Sequence, residues 1–110
     1  MLEDNSIEVD PSFVDLQTPV FALHVKGDSM IDALIKDGDY VVIRSQEHAE
    51  TGDMVAAWLI QEEETTLKRF FPEGDKVRLQ PENSSMSPIF VDAQNVQIKG
   101  RVVGVLRKYK

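Results

Sequence analysis

Apolar residues along this chain come in short runs separated by turn signals, the pattern of strands. Val20 to Lys26 (VFALHVK) is the first such run. Asp39 to Arg44 (DYVVIR) is almost continuously apolar, so both faces of its strand are expected to be covered. Lys36-Asp37-Gly38 before it ends on a glycine, which tolerates positive φ and marks a turn. Gly52-Asp53 opens the next run, Met54 to Ile60 (MVAAWLI). Thr65 to Phe71 (TTLKRFF) and Lys76 to Gln80 (KVRLQ) flank Pro72-Glu73-Gly74-Asp75, which predicts a β-hairpin. Pro81 to Pro88 (PENSSMSP) reads as a loop, and Val96 to Ile98 and Arg101 to Leu106 as closing strands. Only Met30 to Ile35 (MIDALI) reads as a helical turn. The expected fold is mainly β: a compact antiparallel domain with a single short helical turn.

Length and composition refine this picture. Residues 1–12 are polar and interrupted by Pro11, and read as an extended N-terminal arm; residues 13–110 read as one small domain. Apolar residues make up 42% of the chain, but aromatics are few, so the core must be mainly aliphatic. Twelve basic against 19 acidic residues give a formal charge of −7, a poor match for a phosphate backbone. With no basic stripe and no recognition-helix pattern, direct DNA binding by this chain is not expected. The absence of cysteine excludes a disulfide framework, a thiol nucleophile and thiolate metal sites, and is compatible with a reducing cytoplasm. His24 and His48 lack ligand spacing, so neither a metal nor a cofactor is expected. No run approaches the roughly 20 apolar residues of a membrane span.

Two polar residues carry the candidate chemistry. Taken alone, Ser29 reads as a helix N-cap, with Asp32 three positions on as the acidic member of a capping box. Lys68 reads as a lysine on a strand, where alternation puts Thr66, Lys68 and Phe70 on one face. Their context is more specific. Val25-Lys26-Gly27-Asp28-Ser29-Met30, followed by Asp37-Gly38-Asp39-Tyr40-Val41-Val42, resembles the nucleophile region of LexA repressors, UmuD-type proteins and lambdoid phage repressors. Thr66-Leu67-Lys68-Arg69 resembles the family's lysine strand, Pro81-Glu82-Asn83-Ser84 its PEN loop, and Gly104-Val105-Leu106-Arg107 its closing strand. The four motifs stand in the family order, and the similarity runs from Ile7 to Tyr109.

The resemblance implies a β fold of the LexA and signal-peptidase type and a self-cleaving serine peptidase, with Ser29 as nucleophile and Lys68 as general base. A serine hydroxyl attacks well only when a base takes its proton. Lysine serves as that base only when neutral, and lowering its pKa from about 10.4 to about 7 costs on the order of 4–5 kcal/mol. Burial beside Leu67 or Phe70 is expected to supply the desolvation. The oxyanion would be met by the backbone N–H of Ser29, together with that of Asp28 or Met30, just ahead of the helical turn. Gly27 would permit close backbone approach.

The family pattern also includes parts this sequence lacks. No helical DNA-binding domain is recognisable, and none of the six glycines follows Ala or Cys, the residue pairs at which the family cuts itself. Only 28 residues precede Ser29, so the chain is expected to correspond to the carboxy-terminal product of self-cleavage, with Met1 an added start. The resemblance further implies a homodimer through the carboxy-terminal strand. It implies activation of the intact repressor by a RecA filament, and operator binding only through the missing domain. The alternative is a processed UmuD-like accessory subunit of a translesion polymerase. Type I signal peptidase shares the chemistry but needs a membrane anchor, which this sequence does not contain.

Overall fold

β-Branched and aliphatic runs form strands here, and the turn residues between them set the strand ends. The computed structural model describes residues 2–3 and 19–107. Apart from Leu2 and Glu3, the expected arm over residues 1–12 lies outside the described residues. The strands are β1 (Leu2–Glu3), β2 (Val20–Val25), β3 (Tyr40–Ser45), β4 (Met54–Leu59), β5 (Glu64–Glu73), β6 (Lys76–Gln80), β7 (Ile89–Asp92) and β8 (Val96–Leu106). They form one antiparallel sheet in the order β1-β2-β3-β8-β4-β5-β6-β7. The expected mainly β fold is therefore borne out. Short 3-10 turns at Ile31–Ala33 and Ala93–Asn95 are the helical content among the described residues.

Four differences from the sequence reading have physical causes. The predicted helical turn at Met30–Ile35 contracts to the 3-10 turn Ile31–Ala33, because Leu34 stops it in the left-handed region at φ 64°. β7 escapes the apolar pattern because it is four residues long and leaves Ile89 and Phe90 exposed. The two closing strands are one strand, β8, that carries through Lys99-Gly100. The predicted hairpin forms, but with Pro72 opposite Val77 and Glu73 opposite Lys76, so the turn is only Gly74-Asp75. β4 reaches only as far as Arg69, so the missing N–H of Pro72 falls where β5 has no β4 partner.

β8 joins the two halves of the sheet. Its second half pairs with β3, Gly100 standing opposite Ser45 and Leu106 opposite Tyr40. Its first half pairs with β4, Val96 opposite Leu59 and Arg101 opposite Val55. Both ladders shift register along the way, as a bulged strand does when it bends. At the crossing, a Cβ added to Gly100 would collide with the Arg44 carbonyl oxygen and Ile43 Cγ2.

The core divides in two. One cluster holds Leu23, Val25, Met30, Ile35, Val41, Ile43, Ala56 and Leu67. The other holds Val55, Ala57, Leu59, Phe70, Val77 and Leu79. β4 contributes alternate residues to each, so it is buried on both faces. As expected from its sequence, β3 buries three consecutive residues, Val41, Val42 and Ile43.

The close approach at Gly100 yields a test. Gly100→Ala must push backbone apart at the joint, and should cost about 1–3 kcal/mol. The measurement is denaturant unfolding of parent and variant side by side.

Candidate active site

The turn that carries Ser29 is built from the end of β2 and braced by the turn before β3. Val25 donates its N–H to the Asp39 carbonyl at 2.8 Å, and its own carbonyl accepts from Gly38 N–H at 2.9 Å. Gly27, at φ +89°, turns the chain and donates its N–H to Asp37 Oδ1 at 2.7 Å. Ser29 follows, only 7% exposed, and Met30 plugs the first core cluster.

Ser29 is not a helix cap, which corrects the local reading of its sequence. Met30 occupies the cap position of the 3-10 turn and no side chain caps it. The donors a cap would satisfy are met otherwise: Ile31 N–H by the Asp28 carbonyl, Asp32 N–H by the Glu82 carbonyl at 2.7 Å. The Asp32 carboxylate faces the other way, accepting the Ser84 N–H at 2.8 Å. Among the described residues, the backbone N–H groups of Asp28, Ser29 and Met30 donate to no acceptor.

Lys68 lies on β5 directly opposite Val55, and is 8% exposed. Cross-strand partners share a face, so its stem runs among Val55, Thr66 and Phe70. Strand alternation puts Phe70 on the same face as Lys68, whereas Leu67 points to the opposite face and packs in the first cluster. Nζ donates to Thr66 Oγ1 at 2.5 Å. Burial pushes the ammonium below lysine's ordinary pKa, and the Glu64 carboxylate opposes part of that effect.

The structure ties the two neighbourhoods together without a hydrogen bond between Ser29 and Lys68. Arg69, next to Lys68, donates from Nε to Glu82 Oε1 at 2.9 Å and from Nη1 to the Gly52 carbonyl at 3.1 Å. Glu82 donates its N–H to Met30 Sδ at 3.4 Å, besides accepting from Asp32. Asn83 Nδ2 donates to the Asp28 carbonyl at 2.8 Å. The loop 81–84 therefore grips both residues that flank Ser29 and the residue that follows Lys68.

A second anchor lies behind the nucleophile turn. The buried Asp39 carboxylate accepts from Arg107 Nε at 2.9 Å and Nη2 at 2.8 Å, and from Lys36 N–H at 2.8 Å. Arg107 Nη2 also donates to the Leu34 carbonyl. The hydrogen bond from Arg107 holds the Asp39 carboxyl below its ordinary pKa, against burial. Asp37, Gly38 and Asp39 thus brace the turn that carries Ser29.

Sequence reasoning gave no role to Thr66 or Glu82. Thr66 was legible as a face-mate of Lys68, two residues away on one strand; the reach of Glu82 depends on where its loop folds. The histidines take no part: His24 stacks on Tyr40, and His48 borders a separate cleft of about 730 Å³ that also touches Phe70, Lys76 and Lys99. Among the described residues no group of side chains could hold a metal ion, and no helix is long and apolar enough to cross a membrane.

Comparison with known proteins now bears on this arrangement. The model of the family described as Peptidase S24-like matches residues 2–103. The chain belongs to that family. Among its S24-like relatives, the LexA repressor of Roseiflexus sp. (strain RS-1) is 60% identical over 86% of this chain and 45% of its own length. That of Herpetosiphon aurantiacus is 52% identical over 94% of this chain and 50% of the relative, and one from Thermotoga neapolitana is 52% identical over 99% and 51%. The LexA resemblance read from the motifs is borne out. The chain spans about half the length of the curated relatives it matches.

The buried lysine of this S24-like domain predicts a pH-dependent stability. Between its lowered native pKa and lysine's ordinary value, the unfolded chain holds a proton that the native state has released, so native stability rises with pH across that window. Lys68→Met, of similar shape, lacks this term. The melting-temperature difference, variant minus parent, should therefore fall as pH rises from neutral toward lysine's ordinary range, read by scanning calorimetry at matched pH values. A difference independent of pH would contradict it.

Proposed function

We propose that this chain is the self-cleavage and dimerisation half of a LexA-type repressor of the DNA-damage response, a serine endopeptidase with Ser29 as nucleophile and Lys68 as general base. The observation that carries the proposal is a buried lysine with a depressed pKa, on a strand clamped through Arg69 and Glu82 to the turn bearing a buried serine. Lys68 Nζ takes the Ser29 hydroxyl proton while Oγ bonds to the scissile carbonyl carbon. A neutral amine that donates to Thr66 keeps its lone pair for that proton. The N–H groups of Ser29 and of Asp28 or Met30 receive the oxyanion. On collapse the C–N bond breaks, Lys68 returns its proton to the leaving amine, and water hydrolyses the ester. The substrate is a small-residue–Gly bond of the Ala-Gly kind, upstream of Ser29 in the whole repressor. Cutting there would part the dimerisation half from the operator-binding half, with a RecA filament as the activator of the intact protein. The matched relatives named above are LexA repressors, which favours this reading over a UmuD-like accessory subunit.

The test supplies the substrate in trans. A peptide spanning an upstream Ala-Gly bond is incubated with the parent, Ser29→Ala and Lys68→Ala. The parent should cut, faster as pH rises and the neutral lysine fraction grows, and each variant should lose at least about 100-fold. Equal cleavage by all three would sink the assignment.

Dimerisation has its own support. From Val102 to Leu106, β8 pairs with β3 alone, since β4 reaches only to Arg101. That segment offers an open edge among the described residues, and Val105 is 38% exposed. An apolar open edge is a pairing site, and two copies meeting there form a two-fold interface. The parent should sediment as a dimer at micromolar concentration. Val105→Glu, which brings like charges together across the axis, should weaken the dimer by about 10-fold or more. A parent that remains monomeric would rule this interface out.

A further inference from the structure

We infer that Glu82 is a positioning residue that sets the nucleophile turn against the lysine strand, an inference that rests on the Ser29–Lys68 reading. The argument is one of placement. The residue after Ser29 and the residue after Lys68 both bind Glu82: Met30 through its sulfur on the Glu82 N–H, Arg69 through its guanidinium on the Glu82 carboxylate. The Glu82 carbonyl takes the Asp32 N–H, so the same residue also ties down the 3-10 turn behind Ser29. The contacts come from three different groups of one residue and reach two segments nearly forty positions apart in sequence.

The backbone contacts cannot be altered by substitution, but the carboxylate that anchors them can. The Arg69–Glu82 pair is about one-third exposed on each side, so its Coulomb energy is largely screened. Its importance is geometric. Arg69 is itself pinned to the Gly52 carbonyl, at the turn entering β4. Glu82 is thereby referred to a rigid strand pair, and the nucleophile turn is referred to Glu82. Without the carboxylate, the loop 81–84 is still carried by β6, whose Gln80 pairs with Arg69, but Glu82 itself loses its side-chain hold on β5, and its bonds to Met30 and Asp32 loosen with it. The nucleophile turn would then drift away from Lys68. Misplacement of reacting groups by about 1 Å is enough for a rate loss of about 100-fold.

The experiment uses the whole chain and the same trans peptide. Glu82→Ala should lower kcat about 10- to 100-fold and leave KM within about twofold, because the displaced groups touch the reacting atoms and not the bulk of the peptide. Glu82→Gln, which keeps an oxygen acceptor for Arg69 Nε, should recover most of the loss. Arg69→Ala should match Glu82→Ala, and the double variant should be no worse than either, since residues acting as a unit are not additive. Amide hydrogen exchange on the unreacted protein provides a readout independent of catalysis: in Glu82→Ala the Asp32 N–H should exchange at least about tenfold faster while β4 and β8 amides keep parental rates. If the parent cuts through Ser29 and folded Glu82→Ala keeps its kcat, this inference alone is overturned. If cleavage does not depend on Ser29, the reading of the site falls and the inference with it. An additive double variant, or uniform loss of protection throughout the sheet, would make Glu82 a stabilising residue and not a positioning one.

Discussion

The whole arrangement hangs on one strand serving two partners. β8 lies between β3 and β4, and it changes allegiance from one to the other at Gly100, where no side chain fits. On one side of that joint are β2, β3 and the turn with Ser29; on the other are β4, β5 and Lys68. The sheet is therefore not a scaffold onto which a site was added. Its central strand links the two halves of the candidate site within the sheet, and the loop 81–84 is a second link, outside it. Two links fix the relative position of two bodies far better than one, and catalytic geometry is unforgiving of rotation about a single hinge.

Set against this rigidity is a deliberate defect. β5 places a lysine where alternation and packing would favour an aliphatic side chain, and Thr66 gives its amine a single hydrogen-bond partner among the described residues. A buried ammonium is expensive, and the group responds by giving up its proton more readily. The same desolvation that weakens the fold is what a general base requires. Glu64 moderates the effect, holding the charge in place more firmly than burial alone would. Asp39 is the contrasting case. It is buried as deeply, but Arg107 and the Lys36 N–H compensate its charge, so it serves as a rivet and not as a reactive group.

Much of the fold was legible because the strands carry strong local signals. Val41-Val42-Ile43 has little alternative to a buried strand, and the Pro/Gly turn between β5 and β6 announces a hairpin. The failures are equally physical. Lys99-Gly100 looks like a break because glycine usually marks one, whereas here it marks a close crossing of backbones. β7 is too short and too exposed to leave a period. For the candidate site, strand alternation gave Lys68 its face-mates, but could not say that this face would be covered. Ser29 looked like a cap because the sequence signature of a cap is only a small polar residue before an apolar run, and the loop that satisfies the turn's donors comes more than fifty residues later. Family motifs supplied the pairing that local rules could not.

The position of β8 also governs when the domain can come into being. It follows every other strand in chain order, yet it fills the middle of the sheet. During synthesis, β2 with β3 and β4 with β5 can each form hairpins, but the hairpins cannot be joined into one sheet until β8 has left the ribosome. Such long-range closure is slow, and leaves hairpin edges open in the meantime. In a protein whose proposed work is to cut its own chain, late closure has a use. The sheet that sets the serine against the lysine stays unclosed until β8, which follows both residues in the chain, has been made.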